Sequence, residues 1–72
     1  MPRKIRQLKS DLRKAGFVLT DRGKGSHQVW EHPDVPTAFM TLSGQEGDDA
    51  RQYQERDICR VLAMVRDETR KE

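Results

Sequence analysis

Apolar residues recur along this chain with two different periods. Ile5, Leu8, Leu12 and Ala15 are spaced by three and four, which places them on one stripe of a helix. Gly16 follows, where helices commonly end in a left-handed residue. The run from Phe17 to Arg22 opens Phe-Val-Leu-Thr and predicts a strand. Gly23-Lys24-Gly25 interrupts it and suits a hairpin. Ser26 to His32, with Val29 and Trp30, predicts a second strand. Pro33-Asp34-Val35-Pro36 predicts a turn, and Thr37 to Leu42 a third strand. Alternation there does not choose a buried face, because Phe39 falls on one side and Met40 and Leu42 on the other. Ser43 to Asp49 is polar and reads as a loop. From Ala50 or Tyr53 to near Thr69, the stripe Ile58, Val61, Leu62 and Val65 predicts a second helix, after which Arg70-Lys71-Glu72 is expected to fray.

Helix, three-stranded meander and helix together give an α+β fold with an antiparallel sheet. Both amphipathic helices need an apolar surface, so the simplest arrangement packs them on one sheet face and leaves the other open. A chain of 72 residues has room for one core, so residues 1–72 are expected to be a single domain. With 33% hydrophobic and 36% charged residues the composition is lean, but its periodicity separates it from a disordered chain. No apolar run reaches membrane-spanning length, and the start Met-Pro-Arg-Lys-Ile-Arg lacks the pattern of a secretory signal. One cysteine, Cys59, makes no intramolecular disulfide, which fits a cytoplasmic location.

Charge adds an asymmetry. Residues 1–24 hold eight Lys and Arg against two Asp, a balance of +6, and the remainder hold six against ten, a balance of −4. On a helical wheel Arg3, Arg6, Lys9, Arg13 and Lys14 lie opposite the apolar stripe. A basic face of this kind suits a polyanion such as RNA or DNA, and equally a solvated surface.

Few constellations carry chemistry. His27 and His32 are five apart on a strand and so point to opposite faces, Cys59 is remote, and no zinc-type spacing exists; no metal site is predicted. Cys59 lies beside the apolar stripe and reads as a small packing residue. Asp48-Asp49 and Asp67-Glu68 read as surface. Gly23-Lys24-Gly25-Ser26-His27 is different. Its glycines let backbone approach a phosphate, Lys24 supplies a cation and Ser26 a hydroxyl. His27 can accept and donate a proton near neutral pH. The alternative is an ordinary hairpin leading into a strand histidine. Trp30 and Phe39 can stack on bases, but in so small a domain both are expected in the core.

Ala15-Gly16-Phe17 after a basic amphipathic helix, Lys24-Gly25-Ser26-His27 about ten residues on, an aromatic strand ending in His32-Pro33, and a last helix with Ile58 and Val61-Leu62 resemble the HicA family of bacterial toxins over about residues 3–66. The resemblance implies a fold like that of a double-stranded-RNA-binding domain. It also implies a type II toxin–antitoxin toxin, a metal-independent endoribonuclease (mRNA interferase) acting without a cofactor, and neutralisation by a HicB-like antitoxin. The motif histidine, His27, is then the catalytic residue. Many members carry Pro-x-His at the end of the third strand, where this chain has Thr41-Leu42-Ser43. Joined to the residue reading, RNA is expected to contact Lys24, Gly25, Ser26 and Arg22 around His27, and Arg6, Lys9 and Arg13 on the helix. Two other readings stay open: a non-catalytic RNA-binding module of the same fold, and a domain whose charge asymmetry serves a protein partner.

Overall fold

The computed structural model describes residues 3–25 and 27–69; Ser26 and the tail Arg70-Lys71-Glu72 lie outside the described residues. Five elements follow one another: α1 (Ile5–Lys14), β1 (Val18–Leu19), β2 (Gln28–His32), β3 (Val35–Leu42) and α2 (Gln52–Thr69). The strands form one antiparallel sheet in the order β1-β2-β3. The expected α+β class and its α-β-β-β-α order are therefore observed.

Helix α1 ends as its sequence predicts. The Gly16 N–H donates to the Arg13 carbonyl (3.0 Å) and the Phe17 N–H to the Leu12 carbonyl (2.9 Å), with Gly16 at φ +96°. These paired bonds satisfy the last carbonyls of the helix, and the buried Phe17 and Leu12 supply the apolar contact that accompanies them. This stop shortens β1. Phe17 was expected in the strand, but the helix end and the core claim it, and the strand holds only Val18 and Leu19. The Thr20 N–H donates once more to the Val29 carbonyl (2.9 Å) before the chain leaves the ladder.

The third strand begins earlier than expected. His32 pairs with Val35, so only Pro33 and Asp34 make the turn, and the register shifts between Glu31 and His32. Trp30 pairs with Met40 and faces inward; Glu31 pairs with Phe39 and faces outward. The ambiguous alternation is thereby resolved, with Ala38, Met40 and Leu42 buried and Phe39 53% exposed. Trp30 is a core residue as expected, and Phe39 is not.

The core joins Ile5, Leu8 and Leu12 of α1 and Ile58, Val61 and Val65 of α2 to the inner face of the sheet. Both helices thus cover the same face. Each fully buried aliphatic side chain contributes about 1.5–3 kcal/mol. Leu62, expected in the α2 stripe, is only partly buried. Cys59 is exposed, against the expectation that it packs. Gln54 is buried instead, and its position is held by bonds at both ends. Its Oε1 accepts from the Arg51 N–H (2.8 Å) and its Nε2 donates to the Ser43 carbonyl (3.0 Å).

The loop between β3 and α2 folds back over the start of α1. The Ile5 N–H donates to the Asp48 carbonyl (2.9 Å) and the Arg6 N–H to the Glu46 carbonyl (3.1 Å), satisfying two donors that a helix start leaves open. No described helix is long and apolar enough to cross a membrane.

Candidate active site

The loop from Thr20 to His27 joins β1 to β2 and carries the glycine-rich segment. At its base, Thr20 Oγ1 donates to the Val29 carbonyl (3.0 Å) and accepts from the Arg22 N–H (3.3 Å). At its tip, the His27 N–H donates to the Lys24 carbonyl (3.0 Å), and Gly25 takes φ +62° inside that turn. A positive φ there is strained for residues with a β-carbon and ordinary for glycine.

His27 is exposed beside an exposed Lys24 and Gly25. Its ring has no hydrogen-bond or ionic partner among the described residues, so both nitrogens are open to a ligand. The second histidine is the reverse case. His32 is buried, with Nε2 3.0 Å from the Ala15 carbonyl and Nδ1 accepting from the Asp34 N–H at 3.1 Å. The accepting Nδ1 assigns the proton to Nε2, which donates to Ala15. Phe17 stands edge-on to the ring, with centroids 5.2 Å apart. His32 therefore ties the end of α1 to the β2–β3 turn.

The basic residues divide in a way the helical wheel did not indicate. Arg3 pairs with Asp11 (2.5 Å) and Glu55 (3.7 Å), and Lys4 with Asp49 (2.5 Å). Lys9, expected on the exposed basic face, is buried at 8% exposure with its ammonium 3.9 Å from Glu46. Arg22 is ion-paired to Glu31 on the neighbouring strand. Half of the basic residues before Gly25 are thus engaged within the fold, three of them with acids of the second half. Arg6, Arg13, Lys14 and Lys24 are exposed and carry no ion pair among the described residues. The Arg13 guanidinium lies 5.3 Å over the ring of Trp30, in the strand that His27 leads into.

The structure therefore brings His27, Lys24 and Gly25 together in one loop, with Arg22 at its base. Arg6 and Arg13, seven apart, share a face of α1. Ser26 lies outside the described residues. At the end of β3, Leu42 is buried and the Ser43 carbonyl is taken by Gln54. Among the described residues no three His, Cys, Asp or Glu side chains cluster as a metal site would require. Gly23, part of the glycine-rich segment marked by the sequence, shapes the loop together with Thr20 and Glu31, which were not among the expected site residues. The threonine and glutamate gave no signal, since their contacts depend on strand register.

Fold and loop together define a small α+β protein that displays, among the described residues, one histidine without a ring partner beside cations without an ion pair. The chain belongs to the HicA toxin family: the sequence model of the HicA toxin of bacterial toxin–antitoxin systems matches residues 5–64. It is accordingly the toxin of a toxin–antitoxin pair, and the family implies an antitoxin partner. No curated protein and no solved structure matches the chain.

Proposed function

We propose that this toxin is a metal-independent endoribonuclease that cleaves mRNA at His27. The observation that carries the reading is the exposed imidazole, without a partner among the described residues, in a glycine loop next to Lys24. RNA supplies its own nucleophile. The 2′-oxygen loses its proton and forms a bond to the adjacent phosphorus, the bond from phosphorus to the 5′-oxygen breaks, and that oxygen gains a proton. The products are a 2′,3′-cyclic phosphate and a 5′-hydroxyl. His27 takes the first proton or supplies the second, with water completing the other transfer, and a positioned group of this kind contributes about 10²–10⁴-fold.

Lys24 is the cation best placed to favour the added negative charge, because Arg22 is held by Glu31. Gly25 and Ser26 complete the contact with the phosphate. Arg6 and Arg13 carry the flanking backbone, and the geometry favours dropping Lys9 from that set. A HicB-like antitoxin covering this loop would neutralise the toxin, and cytoplasmic mRNA is the target.

Incubating RNA with the protein in EDTA should yield cyclic-phosphate products. DNA of the same sequence should stay intact, and His27→Ala should remove the activity while remaining folded. A second reading, RNA binding without cleavage, draws on the end of β3, where Thr41-Leu42-Ser43 offers no second proton-transfer group. Retarded but uncut RNA would select it.

A further inference from the structure

The His27 loop is closed at two levels, and the lower one requires residue 23 to lack a side chain. Beneath the Lys24–His27 turn, the two legs of the loop meet where Gly23 faces the His27–Gln28 peptide. A β-carbon built on Gly23 would stand 2.1 Å from the His27 carbonyl oxygen, 2.9 Å from the His27 carbonyl carbon and 3.2 Å from the Gln28 Cα. All three atoms are main chain, so no change of rotamer relieves the contact. Any side chain at position 23 must drive the legs apart. Gly25, by contrast, has open space where its β-carbon would be.

The leg that holds Gly23 is anchored just below. The Thr20 hydroxyl bridges the Arg22 N–H (3.3 Å) and the Val29 carbonyl (3.0 Å), so one side chain joins both legs. The Arg22 side chain reaches across to Glu31. Thr20, Gly23 and the Lys24 carbonyl thus form successive rungs between β1 and β2, and His27 stands on the last of them.

We propose that Gly23 is a positioning residue for His27, with Thr20 anchoring the same leg. The inference rests on the reading of His27 as the catalytic group. Its physical basis is that the His27 ring has no side-chain partner among the described residues. In many acid–base sites a neighbouring carboxylate or carbonyl orients the imidazole. Among the described residues only the main chain holds His27, and the close approach at Gly23 fixes where the main chain lies. Moving the legs apart displaces the imidazole from the phosphate and leaves the cations of α1, Arg6 and Arg13, in place.

The test uses the full chain carrying Gly23→Ala. Three quantities are read: single-turnover cleavage of RNA, affinity for 2′-O-methyl RNA that cannot be cut, and exchange of the His27 amide hydrogen. Cleavage should fall about 10–100-fold, the range expected for a displacement near 1 Å. Affinity should stay within about twofold, since Arg6 and Arg13 on α1 are untouched and Lys24 keeps its charge. Exchange at His27 should quicken about tenfold as its bond to Lys24 loosens, while Val29 and Trp30 stay protected. Added to His27→Ala, the substitution should cause no further loss. Wild-type cleavage and exchange in Gly23→Ala would overturn the proposal, and so would a parallel fall in cleavage and affinity.

Should the wild type bind RNA without cutting it, the catalytic reading fails. Amide exchange at His27 then decides separately whether Gly23 sets the loop. If Gly23→Ala does not fold, Thr20→Val and Thr20→Ser replace it. The valine variant should slow cleavage severalfold and the serine variant, which keeps the hydroxyl, should restore it. Equal rates in the two would overturn the proposal.

Discussion

One histidine precedes β2 and another closes it, and their surroundings differ at every point. His32 is buried against Phe17, with one nitrogen given to the Ala15 carbonyl and the other to the Asp34 N–H. His27 stands exposed on a glycine loop and has no partner for its ring among the described residues. The side-chain chemistry is the same; what differs is whether the fold has already used both nitrogens. A histidine with both ring nitrogens committed to main chain is part of the architecture. A histidine held only by its own backbone remains available to a substrate.

Exchanging the two losses should separate them. His27→Ala should lower the cleavage rate about 10²–10⁴-fold, with the melting temperature nearly unchanged because the ring is exposed and has no hydrogen bond or ion pair among the described residues. His32→Ala should do the opposite. It removes two hydrogen bonds and leaves a void beside Phe17, a loss of about 2–4 kcal/mol. For a domain of this size that lowers the melting temperature by roughly 10–20 °C. Cleavage per folded molecule, measured at low temperature, should stay near the wild-type value. Comparable loss of specific activity in both variants would erase the distinction between the two histidines.

Gly16 sharpens the structural half of this comparison. Its φ of +96° is strained for a residue with a side chain, and a β-carbon there would stand 2.9 Å from His32 Nε2. Gly16→Ala should therefore destabilise by about 1–3 kcal/mol through backbone strain. The bond from His32 to Ala15 must also give way. In the His32→Ala background the steric part disappears, so the two losses should sum to less than their separate values. Thermal unfolding of the single and double variants reads this coupling. Simple additivity would show that Gly16 acts through its φ alone.

Much of this was legible in the sequence, for reasons that can be stated. The end of α1 was, because an apolar stripe followed by glycine specifies both the helix and its stop. His27 was marked by residue types packed into one short segment. Contacts that depend on register were not. Phe17 belongs by propensity to a strand, and the helix end claimed it. Met40 rather than Phe39 turns inward because the helices pack on the Trp30 side of the sheet. Glu31 meets Arg22 only once β1 and β2 are paired. Lys9 is the plainest case. Lying four residues after Ile5, it borders the apolar stripe, and the returning loop at Glu46 encloses it. No local pattern announces a loop that comes back from beyond the third strand.

That division among the cations yields the smallest expected effect. Arg6 is exposed and has no ion pair among the described residues, so Arg6→Gln should weaken RNA binding a few-fold at low salt. It should also reduce the salt slope by about 0.7, the share of one released counterion on a single strand. Arg13→Gln should do the same and in addition lose the contact over Trp30, about 0.5–1 kcal/mol of stability. Lys9→Gln should leave the salt slope where it is, since its ammonium already faces Glu46. The cost to stability should stay under about 1 kcal/mol, because Glu46 is largely exposed. Binding isotherms at several salt concentrations compare the three directly. A slope lowered by Lys9→Gln as much as by Arg6→Gln would mean that RNA draws Lys9 away from Glu46. The loop over α1 would then open when the toxin binds its substrate.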